Sequence, residues 1–198
     1  MIMRSVRTWA TGAMLVAVIA GCGLFEPRDP EAPAQGSLNF PPQTDPAIVI
    51  TNLQNAIAVK NVANYTNCFV DHPAFTRPFA FTPSTEASAQ YPGVLGNWSI
   101  QAERDYFQNL VAKSPDNGFA SLILTPKGET VSADSVLADF DYVFTFEHTE
   151  PEFPRTARGS LRFTILRNAS NFWAIADWLD YKTTDEATWS LFKGKFSN

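Results

Sequence analysis

The sequence predicts an α+β domain in which helices cover one face of a strongly curved antiparallel sheet. In residues 45–69 and 99–113, apolar residues recur every three or four positions, which is the periodicity of amphipathic helices. From residue 121 onward, apolar and polar residues alternate instead, which is the periodicity of strands. The predicted order is two helices, a short strand, a further helix and then a run of strands, which favours an α+β domain.

The first helix is predicted to begin at Asp45, an N-cap residue followed by proline at the first helical position. Its apolar stripe continues to about Val59. Asn61 predicts the cap of a second, short helix. This helix ends before Pro73, because the residue preceding a proline is disfavoured in helical conformation.

The next segment is extended, with apolar residues at alternate positions, and predicts an edge strand or a short strand at Phe75, Phe79 and Phe81. Residues 84–97 are polar and rich in turn formers, and they predict a loop. Ser99 predicts the cap of a third helix that ends at about Lys113. We expect its buried stripe to consist of Tyr106, Phe107, Leu110 and Val111.

Four further strands are predicted at residues 121–125, 131–147, 157–167 and 172–181, and a short closing helix or turn between residues 184 and 196. The second of these has the clearest alternation, with one face formed by Val136, Ala138, Phe140, Tyr142, Phe144 and Phe146. The opposite face carries Asp139 and Asp141. We expect that face to be solvated, because like charges on one sheet face need water to screen them.

The first 22 residues combine a positive start, a short apolar segment and small residues. Arg4 and Arg7 precede the apolar residues 10–20, which are too few for a spanning helix of about 20 residues. The segment ends in Ile19-Ala20-Gly21-Cys22, which resembles the lipobox of a bacterial lipoprotein. The resemblance implies cleavage after Gly21 and lipidation of Cys22, whose acyl chains would anchor the protein in a membrane at about 0.8 kcal/mol per buried CH2.

These features divide the chain into a signal peptide (1–21), a lipidated cysteine with a proline-rich tether (22–44) and a single folded domain (45–198). Gly23, rather than an aspartate, follows the lipidated cysteine. For an organism with two membranes, this predicts a location in the outer membrane, facing the periplasm.

Composition limits the partners. Removal of residues 1–21 takes away two arginines and no acids, so the net charge of −5 becomes −7, which argues against nucleic acid as a partner. A local basic cluster is expected to be the solvated face of a hairpin, at Arg155, Arg158, Arg162 and Arg167.

Cysteine and histidine usage predicts no internal disulfide, metal or cofactor. Once Cys22 is lipidated, Cys68 remains alone in an apolar helical context, where a buried, inert thiol is expected. His72 and His148 are the two histidines, and they lie far apart without the local spacing of a zinc or copper site.

The order of elements, with a set of apolar anchors, resembles the NTF2-like (cystatin-like, SnoaL-like or ketosteroid-isomerase-like) cone fold over about residues 45–180. The anchors are Asn52-Leu53, Tyr65, Phe69, Trp98, the helix from Tyr106 to Leu110, and the strand Trp173-Ala174-Ile175 that ends at Trp178. The resemblance implies a pocket between the helices and the curved sheet. The same cone is implied for isomerases, dehydratases, hydrolases, transport adaptors and assembly modules, so it does not decide the function.

Three functional interpretations follow. A non-catalytic binding or assembly domain is favoured, with an apolar small molecule in the cone if the aromatic residues leave space for it. The alternative is an isomerase or dehydratase that uses Tyr142 and Asp177, although a core-rim tyrosine and an aspartate paired with an arginine such as Arg162 are ordinary structural roles. The third is a homodimer formed through an aromatic outer sheet face.

Overall fold

The computed structural model describes residues 39–71, 73–75 and 77–197, and it confirms the α+β class. The helices in this part are α1 (Pro46–Ala58), α2 (Val62–Thr66), α3 (Thr85–Gln90), α4 (Pro92–Leu95), α5 (Ile100–Ala112) and α6 (Trp189–Phe196). The strands are β1 (Ala80–Thr82), β2 (Ala120–Val131), β3 (Ser135–Phe146), β4 (Thr156–Arg167) and β5 (Trp173–Tyr181). The strand order is β1-β5-β4-β3-β2, with β1 parallel to β5 and the other pairs antiparallel.

The three predicted helix caps are confirmed. The Asp45 carboxylate accepts a hydrogen bond from the backbone of Ala47 at the start of α1. The Asn61 side chain caps α2, and the Ser99 hydroxyl caps α5. These polar side chains satisfy backbone N–H groups that have no partner inside the helix, so the local sequence determines where each helix begins.

Two predicted boundaries were wrong. Residues 84–97 contain the short helices α3 and α4 rather than only a loop, since helices of four to six residues are too short to show a periodic stripe. The break between β2 and β3 falls at residues 132–134, not at 126–130. Pro126 and Gly128 resemble a loop in the sequence, but β2 is an edge strand and has a register shift between them, where both residues are tolerated.

The two faces of the sheet differ in chemistry. The predicted apolar residues of β3 are all buried on the inner face, against the helices. The outer face is solvated as predicted and carries ion pairs, in which Asp139 bonds Arg162 and Asp141 bonds Lys127. The aromatic side chains of β3 face inward, whereas Tyr181 at the end of β5 is exposed. A homodimer stays a prediction.

Cys68 is buried as predicted, and burial raises the pKa of its thiol to about 12. His148 is also buried, with its Nε2 atom 3.1 Å from the carbonyl oxygen of Pro154, while His72 lies outside the described residues. Within the described ranges, no group of three His, Cys, Asp or Glu side chains could hold a metal ion. No helix in those ranges is long and apolar enough to cross a membrane, and the lipobox with Cys22 lies outside them.

Candidate functional site

A register shift in the sheet determines which acids of β5 face the interior. Between β4 and β5 the register shifts at Thr164/Ile165, so that Ala176 is an extra residue in β5. Without this shift, Asp177 would share the inner face with Ile175. With it, Asp180 joins the inner face and Asp177 moves to the outer one, where it pairs with Arg77 and not with Arg162.

Tyr142 and Asp177 therefore lie on opposite faces of the sheet and do not form a site together. The buried partner of Tyr142 is Asp180, whose carboxylate accepts a hydrogen bond of 2.9 Å from the phenol. The same carboxylate accepts a bond of 2.8 Å from the backbone of Ser190 and another from its hydroxyl. The Tyr142 oxygen in turn accepts a bond of 2.8 Å from the backbone of Trp189. Asp180 and Tyr142 thus hold the start of α6 against the sheet.

A second buried polar centre lies between α5 and α6. Glu103 and Lys193 form an ion pair, and each is 0% exposed. Glu103 also accepts hydrogen bonds from the Tyr65 hydroxyl and, at 2.7 Å, from the indole N–H of Trp98. The carboxylate therefore has a donor from each of three side chains, which is the condition for keeping a charge in a protein interior.

Aromatic rings surround the Lys193 ammonium. Its Nζ atom lies 3.7 Å from the ring centre of Trp178 and 4.2 Å from that of Phe81. The rings of Trp98 and Tyr106 lie within 5.5 Å of the same atom. The negative faces of such rings attract a cation and replace part of its lost hydration.

Burial shifts the pKa values of these groups away from the charged forms. Desolvation lowers the pKa of the Lys193 ammonium to about 8, against the attraction of Glu103. Desolvation also raises the pKa of Asp180, while the hydrogen bonds from Ser190 and Tyr142 oppose that rise. The phenol pKa values of Tyr65, Tyr106 and Tyr142 are raised well above 10, mainly by desolvation.

The C-terminal helix α6 fills this half of the cone. The Trp189 ring stacks on Phe144 at 4.4 Å and contacts Trp178 edge-on at 4.5 Å. Glycine is required at position 194, because a Cβ atom there would lie 2.3 Å from the Tyr91 ring. The expectation that the chain's own aromatic residues could fill the cone holds for this inner half. Its acids are buried, and each accepts a hydrogen bond from a phenol, Glu103 from Tyr65 and Asp180 from Tyr142.

Sequence reasoning missed Glu103, Lys193 and Asp180, although two of them left a signal. Glu103 lies on the same helical stripe as Tyr106, Phe107 and Leu110, and Lys193 occupies a stripe with Trp189, Phe192 and Phe196. Opposite charges at core positions of two amphipathic helices predict that those helices pack together. Asp180 left no comparable signal, because its orientation depends on the register shift in β5.

The other half of the inner sheet face is open. A groove of about 550 Å³ lies between the first half of α1 and strands β2 to β4. Its floor is apolar and consists of the buried residues Val136, Ala138, Phe140 and Ile165. Ile50 of α1 lines the opposite wall. The charged residues in the described lining are Glu129 and Asp139, and the Asp139 carboxylate pairs with Arg162 on the outer face. This arrangement suits an apolar small molecule, since such sites have mainly apolar walls and volumes of about 300–1,000 Å³.

Comparison with known proteins shows the fold. No protein-family model matches the chain, and no curated protein sequence matches it. Among solved structures, an NTF2-like superfamily protein from Salmonella enterica serovar Typhimurium is 13% identical, with a TM-score of 0.50, and the match covers 69% of this chain and 87% of that one. This chain has the NTF2-like cone fold.

A second match is a conserved protein from Planctomyces limnophilus. It is 8% identical, with a TM-score of 0.52, and the match covers 68% of this chain and 91% of that one. At these identities the NTF2-like fold is shared, while the function is decided by the side chains of each cone.

Proposed function

We propose that this protein is a non-catalytic binding protein of the bacterial cell envelope, anchored by a lipid on Cys22, whose NTF2-like domain binds an apolar small molecule. The observation that carries the proposal is the division of the cone into a sealed half and an open half. The sealed half contains the two buried pairs of acid and phenol, Glu103 with Tyr65 and Asp180 with Tyr142. The open half presents an apolar floor, and its described lining residues include no pair of acid and phenol.

The chemistry of the sealed half supports the non-catalytic part. A general acid or base must come within hydrogen-bond reach of its substrate. Glu103 is fully buried and accepts hydrogen bonds from three side chains, and Asp180 is 3% exposed with its oxygens bonded to Tyr142 and Ser190. These groups stabilise the attachment of α6 and have no free position for a substrate.

The geometry of the groove supports apolar binding. Ala138 has the smallest side chain on the floor, so it leaves space between the rings and branched side chains beside it. Removing apolar surface from water contributes about 25 cal/mol for each Å² that is buried. An apolar molecule that covers this floor would therefore gain most of its affinity from the hydrophobic effect.

Filling the groove is expected to abolish binding. In the Ala138→Trp variant, the new indole occupies the space above the floor, so affinity for the neutral apolar dye N-phenyl-1-naphthylamine should fall at least tenfold. The matched control is Leu137→Trp, which places the same ring on the outer face of the same strand, where Leu137 is exposed. Dye fluorescence measures affinity, and circular dichroism establishes that both variants fold.

The proposal fails if wild-type protein shows no saturable binding of the dye. It also fails if both tryptophan variants lose affinity equally, because the site would then lie outside the groove. Should Ala138→Trp not fold, Ala138→Leu adds less volume at the same position and is expected to weaken binding in the same direction.

The anchor has its own test, since it depends on residues outside the described part of the chain. Cys22→Ala removes the thiol that the lipobox would lipidate. In bacteria fed an alkyne analogue of palmitate, the wild-type protein should be labelled and sediment with membranes, whereas the variant should be unlabelled. Labelling of the variant, or an unlabelled wild-type protein, would contradict the lipid anchor.

A further inference from the structure

A second concave site, separate from the groove, lies where residues 40–43 meet α2 and the start of β5. Its volume is about 430 Å³. Four carboxamide side chains line it, contributed by Gln43, Asn52, Asn64 and Asn67. We call it the amide cleft. Each carboxamide offers two N–H donors and an acceptor oxygen, so the amide cleft is built for a ligand that both donates and accepts hydrogen bonds.

Much of this hydrogen-bonding capacity is unused. Asn52 is 4% exposed, and its Nδ2 atom donates to the Pro41 carbonyl at 2.9 Å, while its Oδ1 atom has no partner. The side-chain amides of Asn64 and Asn67 make no hydrogen bond with another described residue. A buried polar atom without a partner costs free energy, so it marks a place where a ligand or a water can bind favourably.

The charge of the amide cleft disfavours anionic ligands. Asp71 is the charged residue of the lining, and it pairs with Arg104 at 2.8 Å. No lysine or arginine lines the cleft among the described residues. Another cation, the Arg167 guanidinium, lies 5.6 Å from the ring centre of Trp173 and outside the lining. A phosphate or carboxylate ligand would therefore meet the Asp71 carboxylate and no cation in the described lining, which disfavours nucleotides and fatty acids at this site.

The backbone beside the amide cleft is already paired, which disfavours an added peptide strand. The backbone N–H of Trp173 donates to the carbonyl of Gln43 at 2.8 Å, and that of Ile175 donates to Cys68 at 2.9 Å. Strand addition needs a free row of donors and acceptors at a sheet edge. The first half of β5 has used its donors on this side, so recognition at the amide cleft depends on side chains.

Aromatic rings complete the lining. Phe69 and Trp173 are buried at the base of the cleft, Phe75 is half-buried, and Phe172 is exposed beside them. The negative face of an aromatic ring attracts the weakly positive C–H groups of a sugar ring. Carboxamides pair at the same time with the hydroxyl groups around that sugar ring.

We propose that the amide cleft binds a neutral saccharide. The ligand's hydroxyl and amide groups would bond the side chains of Asn64 and Asn67 and take up the unused Asn52 oxygen, while a ring face packs on Phe172. This site is independent of the apolar groove, because the described linings of the two cavities have no residue in common.

Isothermal titration of the folded domain with three neutral tetrasaccharides tests the proposal: chitotetraose, cellotetraose and maltotetraose. At least one should bind, and Asn67→Ala and Phe172→Ala should each weaken that affinity at least tenfold. The matched controls are Asn117→Ala and Phe119→Ala, which remove the same side chains from exposed positions outside the cleft. Ala138→Trp should leave saccharide binding unchanged, which separates this site from the groove.

Three results would overturn the proposal. The first is that none of the tetrasaccharides binds, because the unpaired oxygen of Asn52 would then be a site for water alone. The second is that the control variants weaken saccharide binding as much as the cleft variants do. The third is that inorganic phosphate, an anionic probe, competes with the saccharide for the cleft, which would contradict the charge argument.

Discussion

Replacing Glu103 by alanine is expected to reduce the free energy of unfolding by about 3–5 kcal/mol, because Lys193 then remains in the core without its counter-ion. The hydroxyl of Tyr65 and the indole N–H of Trp98 lose their acceptor in the same substitution. Since small domains are stable by only about 5–15 kcal/mol, this loss is large. Urea denaturation at pH 7, followed by circular dichroism, measures it.

A surface ion pair supplies the control for this prediction. Glu86 bonds Lys182 at 2.6 Å, and both side chains are partly exposed. Glu86→Ala should therefore cost less than about 1 kcal/mol. The double variant Glu103→Leu/Lys193→Met removes both buried charges and is expected to regain much of the stability that Glu103→Ala loses. Equal losses for Glu103→Ala and Glu86→Ala would contradict the role assigned to the buried pair.

The stability of the domain is expected to rise between pH 8 and pH 10 because of Lys193. Its pKa is about 8 in the folded protein, whereas an unfolded lysine has a pKa of about 10.4. Between these values the unfolded chain holds a proton that the folded chain has released, so the free energy of unfolding increases with pH. At about 1.4 kcal/mol per pKa unit, the full rise is about 3 kcal/mol.

Other buried groups lower the free energy of unfolding as the pH rises, and they determine the background and the pH range of the experiment. Burial raises the pKa of Cys68 to about 12, so the free energy of unfolding falls as the pH rises above about 9 and the thiol of the unfolded chain ionises. The Cys68→Ala variant removes this pH dependence. The tyrosines with raised pKa values lower the stability only above about pH 10. In the Cys68→Ala background, urea denaturation from pH 7 to pH 10 should show the rise, and adding Lys193→Met should abolish it. A rise that persists with methionine at position 193 would assign it to another group.

Local signals in the sequence were sufficient for the starts of the main helices and for the inner face of β3. Asp45, Asn61 and Ser99 each begin a helix for the same reason, which is that their side chains satisfy backbone N–H groups within three residues. The alternation along β3 likewise identifies its inner face, because successive side chains of a strand point to opposite sides.

The buried polar groups could not be predicted, because they depend on contacts between residues that are distant in the sequence. Asp180 replaces Asp177 on the inner face only because one extra residue in β5 shifts the register against β4. Glu103 and Lys193 are 90 residues apart in sequence and meet only when α6 packs into the cone. Sequence periodicity predicts which residues are buried, but it does not state which of them touch.

NMR is the most direct test of whether an apolar molecule binds in the groove and leaves the sealed half undisturbed. The backbone amides of the folded domain would be followed during titration with N-phenyl-1-naphthylamine. The account predicts saturable shifts at Ile50, Ala138, Phe140 and Ile165, and unchanged signals at Tyr142, Asp180 and Lys193. Shifts centred on Tyr142, Asp180 and Lys193 would show that the inner cone opens to ligands and would contradict the division of the cone.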